Sequence, residues 1–545
     1  MGRLMKKFCY FTIFSLLPLS LLIGVFIMFR PDLKRGTEQS PHVLRTALIC
    51  DIATMNFSAS NKGSPHNSSL VIPWVFEGLL RRGEGDVPHP AIAHKVDISS
   101  DQTKFTFYLR ECAWSDGVPV TAQDFEYAWK RLLDPNSSAV ISMPDLVTSI
   151  KNANKCLAGE CSVEELGIVV IDDKTLSVEL EYPAQCFLDI LASSFLMPAP
   201  KHIAEKDPTT WATRENFVCN GPFLVSKWIK NSELVFAKNP HYWDQEHVYL
   251  DGIQAHVVPH YQTAINMFEK GELDWAGSPF MTPPQDCFGS VLNGVKEDIK
   301  TYFFACNNDK YPLNNRELRK ALAYAMDREA IVENVFCNYA QPTTSVLPVS
   351  LRLRNTPLFK DNNIPEAKKL LNEALEILGE SLETLPAIEI LYQSDIDFAK
   401  QTSLVVQDHW KKNLGINIVL RGVSGQAAAI DALKRGEYQI CMVGVSVPVF
   451  DARFVFSSFR NKTDACNLCN WENTTFQDLI EQSNHSIGDI ERTRRLLEAE
   501  DVLMDQMPAL PICSPKKLYA KNPKIKGELV SYLQFVDFKS AYFEE

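Results

Sequence analysis

From Lys104 to Arg110 the chain alternates. Phe105, Phe107 and Leu109 are apolar while Thr106, Tyr108 and Arg110 are polar, the period-two pattern of a half-buried strand. Ser115-Asp116-Gly117 supplies a turn, and the period then changes to that of a helix. Phe125, Ala128, Trp129, Leu132 and Leu133 fall on one face behind Thr121 and Asp124, which have capping-box spacing, and Asp134-Pro135 stops the run. Upstream, residues 44–50 read as a strand, a polar loop runs through Ser64, Pro65 and His66, and 74–80 is helix-like. Downstream, Leu176, Val178 and Leu180 share a strand face, and 220–243 reads as a hairpin. Residues 263–270 form a helix stopped by Gly271, and 315–336 carries Leu318, Leu322, Ala325 and Met326 at helical spacing. Pro365 opens a further helix. Strands at 388–392, 416–420 and 438–445 then alternate with helices at 397–413 and 426–435, which implies a sheet covered by helices.

With 545 residues, 46% of them apolar and 22% charged, the chain exceeds one ordinary domain and can fill two or three cores. Its net charge of -12 is spread along its length and argues against a nucleic-acid surface. Arg3, Lys6 and Lys7 precede an uncharged, mostly apolar run at 8–29, the order of an export signal at transmembrane length. Residues 1–35 are therefore read as a signal sequence or N-terminal membrane anchor, with everything beyond about 35 outside the cytoplasmic membrane. No good small-x-small cleavage site follows, and Cys9 comes too early for a lipoprotein signal.

Of the fourteen cysteines, thirteen follow Cys9, so they cannot all pair within the chain. Cys156 and Cys161 are placed to close a short ring worth about 2 kcal/mol. Cys466 and Cys469 form a lone C-x-x-C with no second pair, better read as a local disulfide or free thiols than as a zinc or redox site. His256 and His260 lie on a strand-like segment, where core or surface roles outweigh metal binding. Asp116, Asp124 and Glu126 have local structural jobs. Gly422-Val423-Ser424-Gly425 and Gly444-Val445-Ser446-Val447-Pro448 fail the nucleophile-elbow pattern, and no zinc-protease or phosphate-loop motif occurs. No catalytic residue, metal or cofactor is expected.

The order L-R-x-x-x-W-S-D-G-x-P-V-T-A-x-D-F-x-Y-A-W-x-R-L-x-D-P at 109–135 resembles the most recognisable segment of the dipeptide and oligopeptide solute-binding proteins of ABC importers. Phe76-Glu77-Gly78-Leu79-Leu80, the N-P-x-Y-W phrase at Asn239–Trp243, R-x-A-L-A-Y-A-M-D-R-E-A-I from Arg319 and W-K-K-N-L-G-I from Trp410 extend the resemblance over about 44–520. It implies an α/β, two-lobed periplasmic-binding-protein fold, type II-like, with an extra subdomain inserted in lobe one. The expected division is 43–88 and 205–277 in lobe I, 89–204 as the insert, 278–505 as lobe II, and 506–545 returning to lobe I. A monomer would then hold an oligopeptide in the cleft between lobes and deliver it to membrane permease subunits, without nucleic acid and without chemistry.

Ligand contacts are expected on Ser64, Pro65 and His66, on Gly444, Val445, Ser446 and Val447, on Asp451 and on Trp471. The ligand segment also departs from the family pattern. Where the family has G-W-x-A-D-Y, with the aspartate taking the peptide's amino terminus, this chain has Val445 for the tryptophan and Pro448 for the aspartate. Asp451 is the next carboxylate and either replaces the missing charge or caps the following helix. Ordinary oligopeptides, modified peptides such as cell-wall fragments, and a non-peptide such as chelated nickel all stay open as ligands, in that order. A secreted hydrolase or an anchored surface protein are the rival classes.

Overall fold

The computed structural model describes residues 42–57, 67–137, 147–184, 186–213, 215, 217–282, 285–486 and 488–545. In chain order, the strands of its two largest sheets are β1 (Val43–Leu48), β2 (Ala93–Ile98), β3 (Lys104–Leu109), β4 (Ile168–Asp172), β5 (Thr175–Glu179), β6 (Phe223–Ile229), β7 (Glu233–Lys238) and β8 (Gly252–Val257). They continue with β9 (Trp275–Gly277), β10 (Gly294–Glu297), β11 (Lys300–Cys306), β12 (Ala340–Pro342), β13 (Ile388–Gln393), β14 (Ile418–Val423), β15 (Ile440–Ser446) and β16 (Ala509–Lys521). Strands β2 to β5 form an antiparallel sheet in the order β2-β3-β5-β4. The other twelve form a mixed sheet, β14-β13-β15-β11-β16-β9-β1-β8-β7-β6, with β10 and β12 also paired to β16.

Strand β16 holds this large sheet together. Its first half pairs with β11 and β12 through Ala509 to Pro515, and its second half with β10 and β9 through Lys516 to Lys521. One thirteen-residue strand therefore serves both halves of the sheet. Aromatic side chains from distant parts of the chain pack beside the second half. Trp275 stacks on Tyr519 at 4.5 Å, Trp74 meets Phe236 edge-on at 5.3 Å, and Phe538 touches both tryptophans.

The strongly periodic segments form as their patterns predict. Phe105, Phe107 and Leu109 are buried on β3, and the helix Ala122–Leu133 buries Phe125, Ala128, Trp129, Leu132 and Leu133. Asp124 accepts the Thr121 N–H at 2.9 Å, and its buried carboxylate also accepts Trp114 Nε1 and the Lys201 N–H. The helix Asp397–Leu414 ends on Gly415 in the left-handed region.

Three segments differ from their sequence-based expectations. The helix before the Phe76–Leu80 phrase is Asn67–Val75 and stops short of that phrase, because the Glu77 N–H and carbonyl bond to the Asn220 side chain instead of continuing a helix. The 315–336 run is two helices, Arg316–Tyr324 and Arg328–Phe336, because Asp327 caps the second by accepting the Ala330 N–H at 2.9 Å. The strand expected at 416–420 lies at Ile418–Val423, two residues later than its apolar pattern suggests, in register with β13.

Cys156 and Cys161 are joined in a disulfide. Cys469 keeps a buried free thiol, so the C-x-x-C holds no local disulfide. Among the described residues no helix is long and apolar enough to cross a membrane, and the 8–29 run lies outside them.

Candidate functional site

Strand β15 lies between β11 and β13, which places Gly444 opposite Tyr302, Val445 opposite Thr301 and Ser446 opposite Lys300. A Cβ at Gly444 would come within 2.7 Å of the Tyr302 ring, so only glycine lets that ring lie across the strand. The ring is fixed from its other side by Phe398 at 4.9 Å and Phe336 at 5.9 Å. Past Ser446 the chain leaves the sheet, burying Val447 and Val449 and leaving Pro448 half-buried.

Phe450 then meets groups from the ends of the chain. Its ring stands edge-on to Tyr532 at 5.5 Å, and the Arg82 guanidinium lies 5.8 Å from it. Arg82 is itself buried, donating from Nη1 to the Asp86 carbonyl at 2.6 Å and from Nη2 to Asp189 Oδ1 at 3.0 Å. Its Nε has no hydrogen-bond partner among the described residues. Burial pushes the Asp189 carboxyl up despite this guanidinium.

Asp451 is 4% exposed and both of its oxygens are engaged. Oδ1 accepts the Arg453 N–H at 2.9 Å and Oδ2 accepts Arg492 Nη2 at 2.6 Å. Burial works against its charge, but the Arg492 and Arg453 guanidiniums outweigh that and hold the carboxyl below the usual aspartate range. The Arg453 guanidinium donates to Asn484 Oδ1 at 3.1 Å and to Cys186 Sγ at 3.2 Å, and burial pushes the Cys186 thiol up to about 12. Residues 450–453, 484 and 492 thus meet 82, 186 and 189 in a buried, charge-compensated contact. An ammonium group arriving at Asp451 would have to displace a guanidinium. The carboxylate also orders the start of the short helix Arg453–Phe456, though from a position before its N-cap, Ala452.

Trp471 sits elsewhere in the core, edge-on to Phe476 at 5.3 Å, with its carbonyl accepting Asn467 Nδ2 at 2.7 Å. Ser64, Pro65 and His66 lie outside the described residues. Arg82, Cys186, Asp189 and Arg492 gave no signal in the sequence, since each is isolated in its own segment and gains meaning only from partners 41 to 267 residues away. Among the described residues no group of three or more His, Cys, Asp or Glu is placed to hold a metal ion.

The most recognisable phrases of the chain build scaffold. Glu77, 1% exposed, accepts the Tyr242 hydroxyl at 2.7 Å and Trp243 Nε1 at 2.5 Å, so Phe76–Leu80 and Asn239–Trp243 meet on one buried carboxylate. Arg110 stacks 3.6 Å from the Trp243 ring, and Arg81 joins Glu77 to Asp537. The knot ties four distant segments together and exposes nothing reactive.

Comparison with known proteins adds the lineage. The chain is 33% identical over 512 residues to the oligopeptide-binding protein OppA of Bacillus subtilis (strain 168), covering 92% of this chain and 93% of that protein. It is 29% identical over 475 residues to the dipeptide-binding protein DppE of the same organism, covering 86% of each. Among solved structures, the substrate-binding domain of an oligopeptide ABC transporter from Bacillus anthracis str. Ames superposes with a TM-score of 0.76 at 26% identity, covering 92% of this chain and 99% of that one. The model of the bacterial extracellular solute-binding proteins, family 5 Middle, matches residues 87–467, and with the two-lobed α/β fold in place the chain belongs to that family.

Proposed function

We propose that the protein captures oligopeptides outside the cytoplasmic membrane, in the cleft between two lobes, and passes them intact to the permease of an ABC importer. Its family is one of binding proteins, and the relatives matched along nearly their whole length are named for oligopeptide and dipeptide binding. The observation that carries the reading is the position of the segment that follows β15. Phe450 and Arg453 reach Tyr532, Arg82 and Cys186, which lie in the segments assigned to the other lobe, so a ligand held between two lobes would be enclosed beside this contact. Backbone hydrogen bonding along such a segment suits peptides of varied sequence, since every peptide offers the same donors and acceptors.

In this reading 43–88, 89–204, 205–277 and 506–545 make up one lobe with its insert, and 278–505 the other. Pairing of β10 with the second half of β16 favours moving one crossing to the link between β10 and β11, beyond Gly277. The protein acts as a monomer, with residues past about 35 outside the membrane. The test is native mass spectrometry of the purified protein with a defined peptide mixture, followed by overnight incubation at saturation. One intact peptide per chain and a higher unfolding midpoint are expected, about 2.7 kcal/mol of added stability at a ligand concentration of 100 Kd. Cleaved product that grows with protein concentration would make it a hydrolase instead.

A further inference from the structure

A cavity of about 580 Å³ opens between the start of helix Arg328–Phe336, the chain following β12, the 352–361 loop and Glu500. None of its lining residues belongs to the 444–451 segment. The volume falls in the range of small-molecule sites.

Its charged lining is built from the inside outward. Arg328 is wholly buried, with Nε donating to the Pro511 carbonyl at 2.8 Å, Nη1 to the Ala323 carbonyl at 3.0 Å and to Asp361, and the Phe359 ring 4.9 Å from the guanidinium carbon. Its Nη2 has no hydrogen-bond partner among the described residues, a costly state for a buried charged donor. Glu500, 1% exposed, is committed to Ser345 Oγ at 2.5 Å and Arg354 Nε at 3.0 Å. Asp361 and Glu500 are thereby consumed by Arg328 and Arg354.

What remains uncommitted is mostly positive. Arg352 and Lys360 are exposed and form no ion pair among the described residues, and the Arg352 guanidinium reaches only the Pro342 carbonyl, at 3.3 Å. Glu329 is the single carboxylate of the lining not already paired. Two free cations lining a partly enclosed space that the buried Arg328 also lines suit an anion, because guanidinium and ammonium groups recognise carboxylate and phosphate oxygens.

We propose that this cavity is a second ligand site, separate from the peptide cleft, for a small solute bearing a carboxylate or phosphate group. Isothermal titration of the full chain with citrate and, separately, with inorganic phosphate, at an ionic strength fixed by chloride, tests it. At least one probe should bind saturably at one per chain, and which one binds names the oxygen acid. The joint variant Arg352→Ala/Lys360→Ala, at two exposed positions, should weaken that binding at least tenfold and leave peptide affinity within twofold. The proposal fails if neither probe binds saturably, if the double variant binds as before, or if saturating peptide abolishes probe binding. Because peptide affinity is read separately, loss of the peptide-binding reading would leave this result standing.

Discussion

A buried carboxylate held by guanidiniums is stable only while every partner keeps its charge, and removing one leaves the others uncompensated. Asp451 is such a group, with Arg492 on one oxygen and the Arg453 N–H on the other. Asp451→Asn keeps the shape and one acceptor but strands Arg492, whose side chain is 17% exposed. The expected cost is about 3 kcal/mol, at the low end of such deletions because Arg492 still reaches water. Urea unfolding at pH 7 measures it. The depressed carboxyl fixes the pH dependence as well: its stabilisation is present above the ordinary aspartate pKa of about 3.9 and is lost as pH falls through the lower folded value. The gap between wild type and variant should therefore close in acid. Affinity for free-amine peptides should be unchanged in the folded variant; its selective loss, with N-acetylated peptides unaffected, would return Asp451 to the ligand.

At the scale of elements, Asp327 shows what separates two helices that read as one. Leu318, Leu322, Ala325 and Met326 keep helical spacing across the break, so apolar periodicity alone cannot see it. The carboxylate accepts the Ala330 N–H and, through its other oxygen, Asn362 Nδ2 at 2.7 Å, which starts a second helix. Asp327→Ala should cost about 1 kcal/mol, seen as a lower midpoint in urea with an unchanged slope. A changed slope would mean that the helix pair no longer folds with the rest. Elements whose signals are local were legible from sequence: the alternation in β3, the capped helix after Thr121, the glycine stop at Gly415. The helix end at Val75 was not, since Asn220 decides it from 143 residues away. The site divides the same way. The 444–451 stretch was located through its departures from a known phrase, whereas Arg82, Cys186 and Arg492 depend on long-range packing.

Across the whole molecule, buried thiols set the alkaline limit. Burial raises Cys186, Cys219 and Cys306 to about 12, so each is neutral in the fold while an unfolded chain ionises near 9. For acids raised in this way, stability is complete below the unfolded pKa and is lost as pH climbs toward the folded one, at about 1.4 kcal/mol per pH unit for each thiol. Denaturation at pH 8 and pH 10.5 should show a steep fall, and a thiol reagent at pH 8 should label these three only on unfolding. A level midpoint would mean that the thiols ionise in place. Strand β16 imposes a different order on the molecule, one of time. It stands between β11 and β9, yet it follows every other strand of the sheet along the chain, so a growing chain holds two unfinished edges until Lys521 has been made. Pairings that span most of the sequence are slow to close. This sheet therefore stays open in nascent protein until β16 emerges, the state in which a chain can still be threaded across a membrane, and only a chain grown past Lys521 can lock both halves of the sheet.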